Sequence, residues 1–309
     1  MHPIVMMKRI FTFCLFALTC LQGFSQSKYF LIDSLDSKYK LSHHVLSTKD
    51  IYPIDHKIEL FNITYNNSDG QNLILFSVLP DLETGQDWIE TSFDQLQDSL
   101  IKFGPMQKLF EANTWSRFDG VYGEQTKYLN IYKPVVCKEG RYYVPANCLL
   151  QFYAIRNRPK VFNNVFGTIN INLDEVTILE MEKIYNQTYP STEFPLYTLR
   201  SPVYSTTMDR LRDRREYLSM KHTLADGRIA YQFWTYLDWN KHRFQFESER
   251  GIDRFVYLPE EGIVGGSFDF YFFHHLKKTG ITDLYFLDNI RKEKIMISNR
   301  IIKEHQSKY

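Results

Sequence analysis

Phe255-Val-Tyr-Leu-Pro-Glu-Glu-Gly262-Ile-Val-Gly-Gly-Ser267-Phe-Asp269-Phe-Tyr-Phe-Phe-His-His275 is the stretch whose pattern decides the fold. Two aromatic and β-branched runs flank Pro259-Glu-Glu-Gly262, so Arg254 to Leu258 and Ile263 to Phe273 are predicted as antiparallel strands joined by a turn. Downstream, Asp283 to Leu287 and Lys294 to Ile302 read as further strands after Lys278-Thr-Gly280 and Asp288-Asn289, and upstream His242 to Glu247 reads as another. Asp226-Gly227, taken as a two-residue turn, pairs His222 with Tyr231, Met220 with Phe233 and Leu218 with Thr235. The opposite face then carries Tyr217 across from Tyr236 and Ser219 across from Trp234, a face rich in rings.

The same signals continue toward the N-terminus. Lys57 to Tyr65 and Asn72 to Leu79 flank Asn66-Asn-Ser-Asp-Gly-Gln71, a hairpin with Asp-Gly in its turn. Leu73-Ile-Leu-Phe76 is apolar on both faces, which places that strand centrally in its sheet. Tyr128 to Tyr132, Arg141 to Val144, Leu149 to Ile155, Val161 to Phe166 and Thr168 to Leu173 are short strand candidates at the spacing of a meander, sandwich or barrel. One segment breaks the pattern. Ile89, Phe93, Leu96, Leu100 and Phe103 recur at helical spacing after Thr84 and Asp87, which resemble a capping box, so a long amphipathic helix is predicted over 89–103. Asp174 to Tyr185 fits strand or helix. Asn186 to Ser205, with Pro190, Pro195 and Pro202, reads as a linker or long loop that permits two subdomains. Thr206 to Tyr217 interleaves Arg210, Arg212, Arg214 and Arg215 with Asp209, Asp213 and Glu216, the mark of a solvated helix with its own ion pairs.

Composition sets bounds on this architecture. Of the 309 residues, 44% are hydrophobic and 24% charged, which is ordinary for a globular chain, while 16% are aromatic, which favours pleated sheets. Lys8 and Arg9 precede an apolar run, Ile10 to Leu21, shorter than the roughly 20 residues that span a bilayer, and Gly23-Phe-Ser25 then offers a cleavage site before Gln26. Residues 1–25 are therefore expected to be a secretory signal peptide and 26–56 a poorly structured lead-in, with the β domain over 57–309. Cys20 does not fit lipoprotein processing well, because Ala17 and Thr19 depart from that pattern. The expected location is periplasmic or extracellular, with no membrane span after cleavage. Loss of Lys8 and Arg9 leaves 35 of the 37 basic residues against 36 acidic ones, so nothing steers the chain to nucleic acid. Cys137 and Cys148 remain in an oxidising compartment, where a disulfide between them is permitted. Against it, Lys138-Glu-Gly-Arg141 reads as a hairpin turn that sets Cys137 opposite Tyr142.

Motifs for chemistry are few. The chain contains no HExxH, CxxC, P-loop or GxGxxG, and its Asn66 to Asn72 cluster lacks the later glutamate of a calcium loop. No cofactor and no metal are called for. Gly265-Gly-Ser267-Phe-Asp269 is half of a nucleophile elbow, with Asp269 in place of the second glycine and no helical pattern behind it. On an extended strand the eight steps from Ser267 to His275 span roughly 26 Å, too far for a relay, so His222 or His242 would have to serve. The pairs His43-His44 and His274-His275 place adjacent rings on opposite faces of a strand, which is unsuited to one metal ion. An outer-membrane barrel is disfavoured by the polar C-terminal strand pattern at Lys303, His305 and Ser307.

These observations lead to a mainly β fold, with α+β as the alternative: antiparallel sheets in a meander or sandwich-like arrangement, with one long amphipathic helix packed on a sheet face. The expected function is that of an exported soluble binding or interaction module, non-catalytic, taking a glycan or protein partner on Tyr217, Trp234 and Tyr236. The competing expectation is a secreted hydrolase in which Asp238, Asp253 and Asp269 converge only on folding.

Overall fold

The computed structural model describes residues 27–68, 70–108, 127–156, 167–191, 193–197, 216–236, 251–275 and 281–301. It is mainly β and builds three open sheets in a layered stack, predominantly antiparallel. The central sheet contains β2 (Lys40–Ser47), β3 (Lys57–Asn67), β4 (Gly70–Leu79), β9 (Asn147–Arg156) and β10 (Thr168–Asn170), in the order β10-β9-β4-β3-β2, with β6 (Lys127–Leu129) also on β9. On one side lies the four-stranded sheet of β1 (Lys28–Leu31), β7 (Tyr132–Lys138), β8 (Arg141–Pro145) and β5 (Trp88–Thr91), in that order. On the other is a five-stranded meander of β11 (Glu216–Thr223), β12 (Ile229–Thr235), β13 (Arg254–Leu258), β14 (Gly262–Ser267) and β15 (Met296–Ile297). Among the described strands, β1 pairs with β7 and β10 with β9 in parallel.

Burial on both faces of the central sheet explains its sequence. Leu73, Leu75, Leu149 and Tyr153 point to the five-stranded side, while Ile74, Phe76, Leu150 and Phe152 point to the four-stranded side. Alternation along a strand sends neighbours to opposite faces, so a strand buried twice needs apolar residues at every position. Phe30 of β1 lies parallel to Phe76 with ring centroids 6.2 Å apart, and Tyr153 meets Phe255 of β13 at 5.4 Å. The predicted hairpin forms, with Asn67 opposite Gly70, and β4 is central. Cys137 is paired with Tyr142 across the β7–β8 turn, as the turn chemistry requires.

Polar side chains bolt the meander to the central sheet. Asn62 of β3 donates from Nδ2 to Ile263 O at 3.0 Å and accepts Ile263 N–H at Oδ1 at 2.8 Å, imitating a strand partner. Gln151 of β9 accepts Ile252 N–H at 3.0 Å. Glycine is needed beside these bolts. Gly262 has φ 83°, and a Cβ there would lie 2.6 Å from Asn62 Oδ1; one on Gly265 would lie 2.5 Å from Met296 O.

Several expectations are corrected. No long helix occupies 89–103: that segment forms β5, a single turn Phe93–Leu96 and a 3-10 turn Gln97–Ser99. Ile89 and Phe93, placed on its apolar face, are 44% and 45% exposed. The open edge of β8 recruits Trp88–Thr91 as a strand, and this cross-strand pairing outweighs a modest helical period. The capping box falls at Ser92 and Gln95 instead, while Thr84 and Asp87 tie a surface turn around Asp81. The segment expected as a poorly structured lead-in contains β1 and the eight-residue β2.

Asp174 to Tyr185 resolves as helix α1 (Ile178–Thr188), started by a Thr177–Glu180 capping box. Two predicted strands also become helices: the second half of the opening stretch is α2 (Asp269–His275), and Asp283 to Leu287 lies within α3 (Asp283–Arg291). The segment expected as a linker packs Phe194, Leu196 and Tyr197 into the core, and its residues 198–205 lie outside the described residues. Outside them too lie the leader, Val161 to Phe166, His242 to Glu247 and nearly all of the arginine-rich helix. Among the described residues no helix is long and apolar enough to cross a membrane.

Candidate functional site

The ring-bearing face of β11 and β12 is closed. The loop between these strands has three residues, Ala225 to Gly227, with Leu224 N–H donating to Arg228 O at 2.8 Å, and a bulge follows between Leu218 and Met220. Register therefore differs from the two-residue-turn expectation: Tyr217 faces Trp234, and their rings stack 4.5 Å apart at 10°. Tyr236 lies 6.2 Å from Trp234, and Phe194 lies 6.2 Å from Tyr236. Trp234 Nε1 donates to Val176 O at 2.8 Å, just ahead of α1. Exposure is 3% for Tyr217, 0% for Trp234 and 2% for Tyr236, so this trio is core and offers no open platform for a sugar ring. Its cover is α1 and the Phe194–Tyr197 segment, which contribute Met181, Tyr185, Phe194 and Leu196 to the same cluster.

The structure brings two of the three expected carboxylates together. Asp269, at the start of α2, accepts Tyr52 Oη–H at 2.9 Å on Oδ1 and meets Arg254 Nη2 at 2.6 Å on Oδ2. Asp253, adjacent to that arginine, accepts Phe270 N–H at 3.2 Å, and Tyr52 Oη in turn accepts Phe268 N–H at 2.9 Å. Arg254 Nε donates to Lys294 O at 3.1 Å. Asp238 lies outside the described residues. Burial pushes the Asp269 carboxyl up against the pull of Arg254, and burial drives the Tyr52 phenol well above its usual range. A guanidinium does not deprotonate, so the buried positive charge of Arg254 demands a carboxylate beside it and keeps the pair ionic. Every member of the cluster is buried, with Arg254 at 1% and Asp269 at 0% exposure, so a substrate has no access to it.

Ser267 is nearer to a nucleophile elbow than its sequence indicated, since a strand, Phe268 and then helix α2 do follow one another. The chemistry stops there. Ser267 Oγ is buried without a hydrogen-bond partner, His222 is bonded to Gln232 Oε1 at 3.0 Å, and His275 Nδ1 donates to Tyr271 O at 2.8 Å within its own helix. No histidine activates the serine among the described residues, and none of their His, Cys, Asp and Glu side chains form a metal-sized group of three.

A cluster that sequence inspection missed sits at the half-exposed rim between the central and four-stranded sheets. Glu59 of β3 accepts Trp88 Nε1–H at 2.7 Å on Oε1 and is bonded to His43 Nε2 at 2.8 Å on Oε2. His43 stacks on Phe61 at 4.3 Å and 10°, Phe61 meets Trp88 edge-on at 6.2 Å, and Lys138 Nζ stands 5.6 Å from the indole centroid. Burial raises the Glu59 carboxyl, but the hydrogen bonds from His43 and Trp88 outweigh it and hold the group below the usual carboxylate range. On the outer face of the same rim, Phe93 meets Tyr142 at 5.7 Å beside exposed Ile89. The available signal was the strand parity shared by Glu59 and Phe61, and Trp88 hid it by lying next to an apparent helix.

Cys137 and Cys148, the cysteines among the described residues, are unpaired, with Cys137 exposed and Cys148 buried, so the disulfide expectation is corrected. The β7–β8 hairpin pairs Cys137 with Tyr142, whereas Cys148 lies on β9 in the core, where burial pushes its thiol up. A thiol reagent on the folded protein is expected to label Cys137 and spare Cys148 until denaturation. Two blocked thiols that appear only after reduction would contradict the unpaired state. No family model matches the chain, and no curated protein or solved structure shows significant similarity to it.

Proposed function

We propose that the chain acts by binding rather than by catalysis, and that it holds a glycan at the rim formed by His43, Glu59 and Trp88. The observation that carries this reading is an indole and an ionised carboxylate fixed against each other at a half-exposed surface, 2.7 Å apart. A ring beside hydrogen-bonding groups suits a sugar, which presents an apolar C–H face and hydroxyls at its edge. The hydrolase alternative takes Asp238, Asp253 and Asp269; Asp238 lies outside the described residues, and the burial of Asp253 and Asp269 with Arg254 speaks against it. We also infer export from the leader pattern of residues 1–25; a secreted product beginning at Gln26 supports this, and retention of the leader in the cytoplasm contradicts it.

Glycan-array screening of the purified chain tests the binding claim. Wild type is expected to bind a defined set of glycans, and Trp88→Ala to weaken that binding about tenfold while its unfolding transition stays cooperative. No glycan bound by wild type would end the sugar proposal and favour a protein partner, for which exposed Ile89 and Phe93 on edge strand β5 and its following turn are the contact surface.

A further inference from the structure

Edge strand β2 is fastened to the five-stranded sheet through alternate side chains, and one of them is a histidine. Lys40 Nζ donates to Glu260 O at 2.5 Å, Ser42 Oγ to Glu261 O at 2.5 Å, and His44 Nε2 to that same Glu261 carbonyl at 3.2 Å. All three reach the Pro259–Gly262 turn between β13 and β14, where Glu260 takes φ 69°. A carbonyl only accepts, so Nε2 carries the imidazole proton and Nδ1 is the bare nitrogen. His44 is 1% exposed, and Nδ1 has no hydrogen-bond partner.

We propose that His44 is an acid-sensitive latch: neutral, it holds β2 against the Pro259–Gly262 turn, and protonated, it releases the two. An imidazolium bears N–H on both nitrogens, and here the second would be buried without an acceptor, a penalty that opening the contact removes. The surrounding charges do not supply that acceptor. From the turn, the Glu261 carboxylate lies 3.8 Å from Nε2 but is bonded to Arg300, with Arg228 Nη1 3.9 Å away. Glu260 is paired with Lys40 of β2 at 3.5 Å, and Arg228 with Asp226 at 2.6 Å. On β2 itself His43 faces Glu59 on the other side, and β3 places uncharged Leu60 opposite His44.

Burial, helped by the Arg300 charge, holds the His44 imidazole below the ordinary histidine range despite its bond to Glu261 O. With the folded value below the unfolded one of about 6.5, the latch is at full strength above that pH. It weakens as pH falls from there toward the folded value.

Amide hydrogen exchange and NMR titration of the histidines in the full chain test the proposal. His44 is expected to titrate below about 6.5. Exchange in β2 and residues 258–263, corrected for its intrinsic pH dependence, should accelerate from about pH 7.5 to about pH 5, up to about tenfold for each unit of depression. His44→Gln retains a donor for Glu261 O and cannot be protonated, so its protection should lose this pH dependence, whereas His43→Gln should keep it. An identical response in wild type and His44→Gln overturns the latch, as does a His44 titration at or above the ordinary value. If His44→Gln fails to fold, the titration and exchange of wild type decide alone.

Discussion

Arg254→Ala is expected to destabilise the protein by about 3–5 kcal/mol, because it strips the counter-charge from a buried carboxylate while leaving that carboxylate in place. Asp269 meets the guanidinium at 2.6 Å, and both groups are essentially without solvent contact. Water cannot replace the lost partner there without opening the junction of β13, β14 and α2. Tyr52 Oη–H still reaches Asp269, but one hydroxyl does not offset a full charge. Urea denaturation of wild type and variant measures the loss, and a change under about 1 kcal/mol would mean that the cluster is hydrated in solution. Substituting Arg254 and Asp269 together by apolar residues of similar volume should cost less than Arg254→Ala alone, since the penalty comes from the orphaned charge more than from the absent pair.

Trp234→Ala carries the second large effect, about 3–5 kcal/mol, for a different reason. The indole is fully buried, stacks on Tyr217, and its N–H satisfies Val176 O ahead of α1. Truncation leaves a cavity under that helix together with an unpaired carbonyl. Thermal unfolding should show the loss, and α1 should lose hydrogen-exchange protection before the central sheet does. Full stability in the variant would place Trp234 at an open surface and revive the stacking platform expected from β11 and β12. The contrast with Trp88→Ala is diagnostic: one tryptophan is expected to govern stability and the other binding.

The difference between these tryptophans was not legible in the chain. Trp234 sits among neighbouring rings and Trp88 stands alone between Phe76 and Phe93, yet a ring suits a covered face as well as an open one. Trp234 is covered because Asp174 to Tyr185, ambiguous by composition, folds as α1 over it. Trp88 is half open because its segment joins β8 as an edge strand in place of the helix that its apolar spacing indicates. The helix after Ser267 was hidden for a related reason: Phe270, Tyr271, Phe272 and Phe273 have high strand propensity, and packing on the Tyr52 side of the core overrides it. Burial of three of these four rings in one turn of α2 is worth more than their local preference.

Sequence by itself determined what depends on near neighbours. The β3–β4 hairpin, the central place of Leu73 to Phe76, the Arg254 to Leu258 strand and the opposition of Cys137 to Tyr142 all follow from turn residues and apolar alternation within about ten positions. Tertiary structure alone decided which surfaces are closed. Tyr52 reaches Asp269 across 217 positions and Asn62 reaches Ile263 across 201, and no local pattern encodes such meetings. The physical reason is that pairing between adjacent strands is fixed by turn geometry, whereas burial is set by where distant sheets dock. That docking sealed the two aspartates around Arg254, closed the Trp234 face, and left Trp88, Glu59 and His43 at the rim.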